Sequence, residues 1–196
     1  FARLDSVEAI LSIASFVGIV AAGQTFVILI GGIDLSVPWV LNGAAILMVT
    51  SSLGQDDRAV GALAATLGMG ALVGIANGIG VSFLNIPAVV MTLAMNGIME
   101  GLTLGLSGGL TCGSCASYAP PVIQQAIHGN LFGIPFAVLL WIAITLIVSF
   151  VLSFTTFGRN TYAIGNNVTA SFLAGVNVRR TVILLYMTSG IFSALA

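Results

Sequence analysis

Apolar residues run along this chain in long stretches, and polar positions gather at a few breaks between them. Stretches of roughly 20 residues, the length that crosses a hydrocarbon core, occupy 9–30, 59–81, 87–106 and 136–157. A shorter one lies at 37–50, and another begins at 181. The pattern predicts six membrane segments, all helical. An irregular chain or an open sheet edge facing lipid leaves its amides unpaired, and the alternation of a β-barrel is absent. The expected fold class is an all-α integral membrane protein, a polytopic helical bundle forming one transmembrane domain over residues 1–196.

Composition agrees with lipid as the main solvent. Of 196 residues, 58% are hydrophobic and 6% charged, and the mean hydropathy is +1.15; a soluble domain of this length cannot be covered with so little charge. Five arginines, six acids and no lysine give a net charge of −1, which leaves no basic patch for nucleic acid. Without lysine a G-x-x-x-x-G-K-[ST] phosphate loop cannot exist, so nucleotide hydrolysis, with its ATP and Mg, is expected on another chain. The start lacks both an initiating Met and a cleavable signal; the chain reads as an internal portion of a longer protein.

Arg159, Arg179 and Arg180 bracket 158–180, whereas 107–135 has no Lys or Arg. The positive-inside rule puts 158–180 in the cytoplasm. Counting back places 107–135 outside, 82–86 inside, 51–58 outside and 31–36 near the inner side, provided that 37–50 crosses. A re-entrant half-helix there inverts everything before it.

Candidate functional residues stand out because the bilayer makes them costly. Asp34 interrupts the apolar pattern in GGIDLS, 31–36. An ionised acid at mid-bilayer costs about 2.5–3.5 kcal/mol on insertion scales, so it needs water, a partner or a free helix end. Gly31 and Gly32 are suited to ending one helix, and Asp34 or Ser36 to capping the next, with Pro38 in its first turn. A capped break and a solute-binding carboxylate are compatible readings, since transporters build sites at broken helices. Glu100, one turn after Asn96, is expected to point into the bundle, either pairing with a neighbour or lining a solute path. Two glycine ladders, Gly70-Gly74-Gly78 and Gly97-Gly101-Gly105, each place three glycines on one helical face and predict close helix packing. Cys112 and Cys115 form a C-x-x-C pair in the outer connection that could oxidise but lacks a second pair for zinc. His128 ends a short amphipathic surface stretch and has no partner carboxylate, so no metal site is expected.

Three blocks, "GGIDLSV", "NGIGVSFLNIPAVVMTLAMNGIMEGLTLGLSGG" and "FGRNTYAIGNNVTASFLAGVNVRRTVILLYMTSGIFSALA", together resemble the permease subunits of bacterial ABC importers for ribose-type monosaccharides. The resemblance implies a subunit of about ten spans in the bacterial inner membrane. It implies four kinds of partner: cytoplasmic ATPase subunits that carry ATP and Mg, a second permease subunit in a homodimer, an extracellular solute-binding protein, and the lipid bilayer. It also implies that 158–180 is the coupling loop. Thr169-Ala170-Ser171-Phe172-Leu173-Ala174-Gly175 matches the docking pattern E-A-A-x-x-x-G at Ala170 and Gly175, while Thr169 replaces the acid and Ser171 the second alanine. Pro38 departs from the family's glycine, and Glu100 from its common arginine.

The function expected is import of a small polar solute, a monosaccharide, by alternating access. As a permease, this chain is expected to carry no catalytic residue. A branched-chain amino acid or nucleoside importer permease is the alternative within the class. Outside the class stand an ATP-independent secondary transporter using Asp34 and Glu100, and a purely structural membrane subunit.

Overall fold

The computed structural model describes residues 4–109, 119–131 and 134–196. Cys112, Cys115 and Arg3 lie outside them. Helix α1 covers Leu4–Leu29, α2 Val37–Ser52, α3 Asp56–Ser82 and α4 Ala88–Leu106. A short helix α5, Pro121–His128, follows, and then two two-residue strands, β1 (Asn130–Leu131) and β2 (Ile134–Pro135), paired antiparallel. Next come α6, Phe136–Phe154; α7, Thr156–Asn166; α8, Val168–Leu173; and α9, Val178–Leu195. Helices α1, α3, α4, α6 and α9 are long and apolar enough to cross a membrane, and α2 is a shorter apolar helix.

Backbone chemistry sets the breaks. Gly31 has φ +73°, a conformation in which glycine meets no Cβ penalty. Around it the Gly32 amide donates to Val27 O at 3.0 Å and the Gly31 amide to Ile28 O at 2.9 Å, the paired bonds of a Schellman C-cap. Pro87, Pro120 and Pro135 stand at the N-cap positions of α4, α5 and α6, where a residue without an N–H donor is tolerated and the fixed φ directs the chain into the helix. The helix α7 was not expected. Its sequence is too polar to span, and its amphipathic face lies against the end of α6 and the end of α1.

Helix ends assign the two sides. The α7 residue Gly165 abuts Leu29 O, so α1 ends on the side of Arg159, Arg179 and Arg180, the cytoplasmic side by the positive-inside rule. At the opposite side Asp56, first in α3, accepts from the Val122 amide of α5 at 2.9 Å. Helix α2 therefore climbs from the 30–36 break to the outer side. At 16 residues it is about 24 Å long, and the non-helical 30–36 segment precedes it.

The tightest seam joins α3 and α9. A Cβ on Gly70 or Gly74 would run into the Gly190 and Tyr186 carbonyls, and one on Gly78 would come within 2.6 Å of Ile183 Cα. Gly190 returns the fit, because its Cβ would strike Gly70 O. With no hydrophobic drive between helices in lipid, such backbone approach supplies the dispersion contacts that hold them. On one flank Val40 and Ala44 of α2 pack with Val73, Met95, Met99 and Ala194. On the other, Ile19, Ala22 and Phe26 of α1 meet Ile144, Val148, Leu152 and Leu185. Large apolar side chains such as Val60, Leu72 and Leu146 point outward, as a lipid solvent requires.

The second ladder is not a packed seam within the described residues. A Cβ on Gly97, Gly101 or Gly105 would meet no atom within 4 Å. Helix α4 packs through Thr92, Met95, Met99 and Thr103, and at 3.6 residues per turn the three glycines fall on the other side.

The two ladders should therefore differ on substitution. Gly74→Val forces a backbone separation of α3 from α9 and is expected to destabilise the protein by about 1–3 kcal/mol or more. Gly101→Ala is expected to change stability by less than about 1 kcal/mol. Thermal unfolding in detergent measures both; equal melting of Gly74→Val and wild type would show that the seam does not hold the bundle.

Candidate functional site

The break between α1 and α2 carries the densest set of buried polar side chains. Asp34 is 5% exposed. Its Oδ1 accepts from the Ser36 amide at 3.1 Å and the Ser36 hydroxyl at 2.6 Å, and its Oδ2 accepts from the Ser189 hydroxyl of α9 at 2.8 Å. Other helices complete the clamp. From α1, Gln24 Nε2 donates to Asp34 O at 3.1 Å and reaches Ser189 Oγ at 3.4 Å. From α3, Asn77 Nδ2 donates to Ser36 Oγ at 3.0 Å. From α4, the Thr92 hydroxyl lies 3.3 Å from Ile33 O while donating to its own helix at Ala88 O. Four helices thus satisfy a non-helical segment that could not otherwise sit inside a membrane.

This geometry corrects the expected cap. Ser36 occupies the N-cap of α2, but no side-chain capping bond is made. The physical reason is twofold: Pro38 removes one of the amides that a cap would serve, and both Asp34 oxygens are already taken. The carboxylate ties the break to α9 instead. Gln24, Asn77 and Ser189 were missed in the sequence, although each is a polar residue inside an apolar span and could have been singled out on that ground. Asn77 Oδ1 and the Tyr186 hydroxyl are buried without a hydrogen-bond partner among the described residues, and Tyr186 Oη stands where a Cβ on Gly32 would come within 2.7 Å.

Glu100 is not part of this cluster. It is exposed, on the flank of α4 away from the packed face, and makes no hydrogen bond or ion pair among the described residues. Asn96 is half-buried, with Oδ1 unpartnered. The expectation that Glu100 points into the bundle is not met by the helices described. A separate recess of about 380 Å³ opens between α1, α6 and α7, with Thr25, Trp141, Thr145, Ser149 and Tyr162 in its wall; it does not reach Asp34. Among the described residues no group of three or more His, Cys, Asp or Glu side chains is placed to hold a metal ion.

At the cytoplasmic end, α8 is a single well-capped turn and a half. Asn167 Oδ1 accepts from the Ala170 amide at 2.9 Å, and the Ser171 hydroxyl, buried, donates to Asn167 O at 2.8 Å. Gly175 closes the helix at φ +84°, with the Val176 amide bonded to Ser171 O at 3.0 Å. Thr169 and Ala170 are exposed, and Phe172 and Leu173 project with 69% and 79% exposure. Two residues into α9, the Arg179 guanidinium lies 5.0 Å from the centre of the Phe83 ring in the α3–α4 turn.

Against this architecture a family model described as "Branched-chain amino acid transport system / permease component" matches residues 6–196. The chain belongs to this permease family. It is a multi-pass inner-membrane protein. The permease is 35% identical to the fructose import permease protein FrcC of Rhizobium meliloti over 95% of its own chain and 53% of that protein. It is 31% identical to the ribose import permease protein RbsC of Escherichia coli K12, over 100% of its own chain and 61% of the relative. With the L-arabinose transport system permease protein AraH of the same organism the identity is 36%, over 93% and 54%. The permease chain therefore spans between about half and three fifths of the length of these relatives. No solved structure matches it with significance.

If Asp34 is the tie between break and bundle, its replacements should rank by hydrogen-bonding capacity. Asp34→Asn keeps an acceptor for Ser36 and is expected to cost about 1 kcal/mol. Asp34→Leu strands the Ser36 and Ser189 hydroxyls at about 1–3 kcal/mol each, enough to lose monodisperse protein on size exclusion after mild heating. A Leu variant as heat-stable as wild type sinks this assignment.

Proposed function

We propose that this chain forms the membrane-spanning part of a permease subunit of an ATP-driven importer for a monosaccharide. It works as one of two like subunits, with ATPase subunits docked on the cytoplasmic side and a solute-binding protein outside. The relatives named for fructose, ribose and arabinose import support the sugar. The description of the family keeps branched-chain amino acids as the second solute class.

The observation that carries the reading is α8. Adjacent apolar side chains, Phe172 and Leu173, stand out of a capped helix at the arginine-bearing end of the bundle, the exposed aromatic and aliphatic anchor expected of a protein contact. The chain leaves α8 through Gly175 directly into α9. Helix α9 is seated on α3 through glycines and on the break through Ser189. A displacement of α8 by closing ATPase subunits therefore moves α9 and α3 as a unit and pulls on the segment at Asp34. Alternating access is then a change between two packings of this unit against the remaining helices. ATP and Mg belong to the partner subunits; this chain binds, orients and transmits.

Single cysteines at Thr169, Phe172 and Leu173, in a background with Cys112 and Cys115 changed to Ser, should crosslink to the ATPase subunit in membranes. Phe172→Ala should weaken ATPase association about ten-fold or more, the scale of a buried aromatic anchor, with membrane insertion unchanged. Gly175→Trp should do so too, but its φ adds strain, so Phe172 is the cleaner variant. Crosslinks formed only to an extracellular protein overturn both the sidedness and the coupling role. Uptake of labelled ribose, fructose, arabinose and leucine by the whole importer decides the solute class.

A further inference from the structure

Hydrogen-bonding capacity is left over at the break once its protein contacts are counted. An ionised carboxylate has about four acceptor sites. Asp34 uses three, two on Oδ1 for the Ser36 amide and hydroxyl and one on Oδ2 for the Ser189 hydroxyl. Asn77 donates through Nδ2 to Ser36 Oγ, but its Oδ1 accepts from no group among the described residues, and the Tyr186 hydroxyl has no partner among them either. Asn77 and Tyr186 are both 0% exposed. A further chain packed on the outside of the bundle therefore does not reach them.

These groups belong to one stretch of chain. Tyr186 Oη lies against Gly32, two residues before Asp34, where a Cβ would come within 2.7 Å of it. The Asn77 amide is bonded to Ser36, two residues after Asp34. The neighbouring donors are already committed. The Ser36 hydroxyl donates to Asp34 Oδ1, which fixes the Asn77 amide with Nδ2 toward Ser36 Oγ and leaves Oδ1 as the open atom. The Ser189 hydroxyl donates to Asp34 Oδ2, the Thr92 hydroxyl to Ala88 O and Gln24 Nε2 to Asp34 O. What remains is a donor, the Tyr186 hydroxyl, and two acceptors, Asn77 Oδ1 and Asp34 Oδ2. Water carries the complementary set: it accepts from the phenol and donates twice, and about three bonds is the usual number for a buried water. A metal ion would serve the two acceptors but leave the Tyr186 proton without one.

We infer that ordered water is bound at the break, taking the Tyr186 proton and donating to Asn77 Oδ1 and Asp34 Oδ2. The inference concerns the break itself and stands whether or not the chain imports a sugar. It gives Asn77 and Tyr186 a part that no protein contact gives them: they hold the water that completes the hydrogen bonding of a buried acid. All the protein donors on that acid are uncharged, so the water adds a further dipole around a charge that hydroxyls and an amide alone otherwise carry.

The test uses the complete permease in detergent, irradiated by a short X-ray pulse that makes hydroxyl radicals from water in place, with oxidised residues read by mass spectrometry. Radicals born from a bound water attack its neighbours before they diffuse away. Phe26 is the reference, an aromatic ring nearly as closed to bulk solvent but set among apolar side chains. Tyr186 should be oxidised about ten-fold or more faster than Phe26, the contrast expected between a group that touches ordered water and one that does not. Melting gives a second reading. Tyr186→Phe removes the hydroxyl and keeps the ring, so loss of a water-bonded group should lower the melting temperature by about 2–4 °C, whereas removal of an unpaired buried hydroxyl leaves it equal or higher. In Asn77→Leu, which keeps the side-chain size but offers no acceptor, oxidation of Tyr186 should fall toward the Phe26 level. Tyr186 oxidised no faster than Phe26, or a Phe variant at least as heat-stable as wild type, overturns the bound water. Oxidation of Tyr186 unchanged in a folded Asn77→Leu variant overturns the part of Asn77. The first two readings need only wild type and Tyr186→Phe, so they decide the matter even if Asn77→Leu does not fold.

Discussion

The approach of α9 to α3 at Gly70, Gly74, Gly78 and Gly190 is the constraint on which the rest of the molecule depends. Only because both backbones are bare at these levels can α9 sit deep enough for Ser189 to meet Asp34. In turn, that bond and those from Gln24, Asn77 and Thr92 allow the non-helical 30–36 segment to stand inside the bilayer. Loss of the seam would separate Asp34 from its α9 donor and leave a polar segment in an apolar solvent. Stability and the placing of the break are therefore one problem, solved by small residues on two helices far apart in sequence.

Much of the fold was legible along the chain, because span length and hydropathy report directly on lipid as the solvent. The stretches 9–30, 59–81 and 87–106 lie close to α1, α3 and α4, and Gly31 and Gly175 end helices as their lack of a Cβ allows. What was not legible is which neighbour a face meets. Gly70-Gly74-Gly78 and Gly97-Gly101-Gly105 have the same spacing, yet the first is pressed against α9 and the second faces open space. Spacing determines the face of a helix, whereas its partner depends on tertiary arrangement. The role of Asp34 was misread for the same reason. Its nearest amides suggested a cap, but a partner 155 positions away decided the matter.

Asp34 and Glu100 illustrate two settings of a carboxylate in this fold. Asp34 is enclosed by donors from its own loop and from α9, so its function is to join elements. Glu100 is exposed on a side of α4 that the described residues leave uncovered. A similar residue type thus serves architecture at one depth and faces outward at another, and only the surrounding hydrogen bonds distinguish the cases. The cytoplasmic side adds a third device. Phe172 and Leu173 are held out by a helix of six residues whose caps, rather than its length, keep it formed.

The distance along the chain between Asp34 and Ser189 has a consequence for biogenesis. At about 5–20 residues per second of synthesis, the 155 residues separating them delay the donor by roughly 8–30 s. During that interval the Asp34 carboxylate has only its local Ser36 contacts. The break therefore has its full set of hydrogen bonds only once α9 arrives. Both the α3 seam and the Asp34 tie thus depend on the last helix of this stretch to be synthesised.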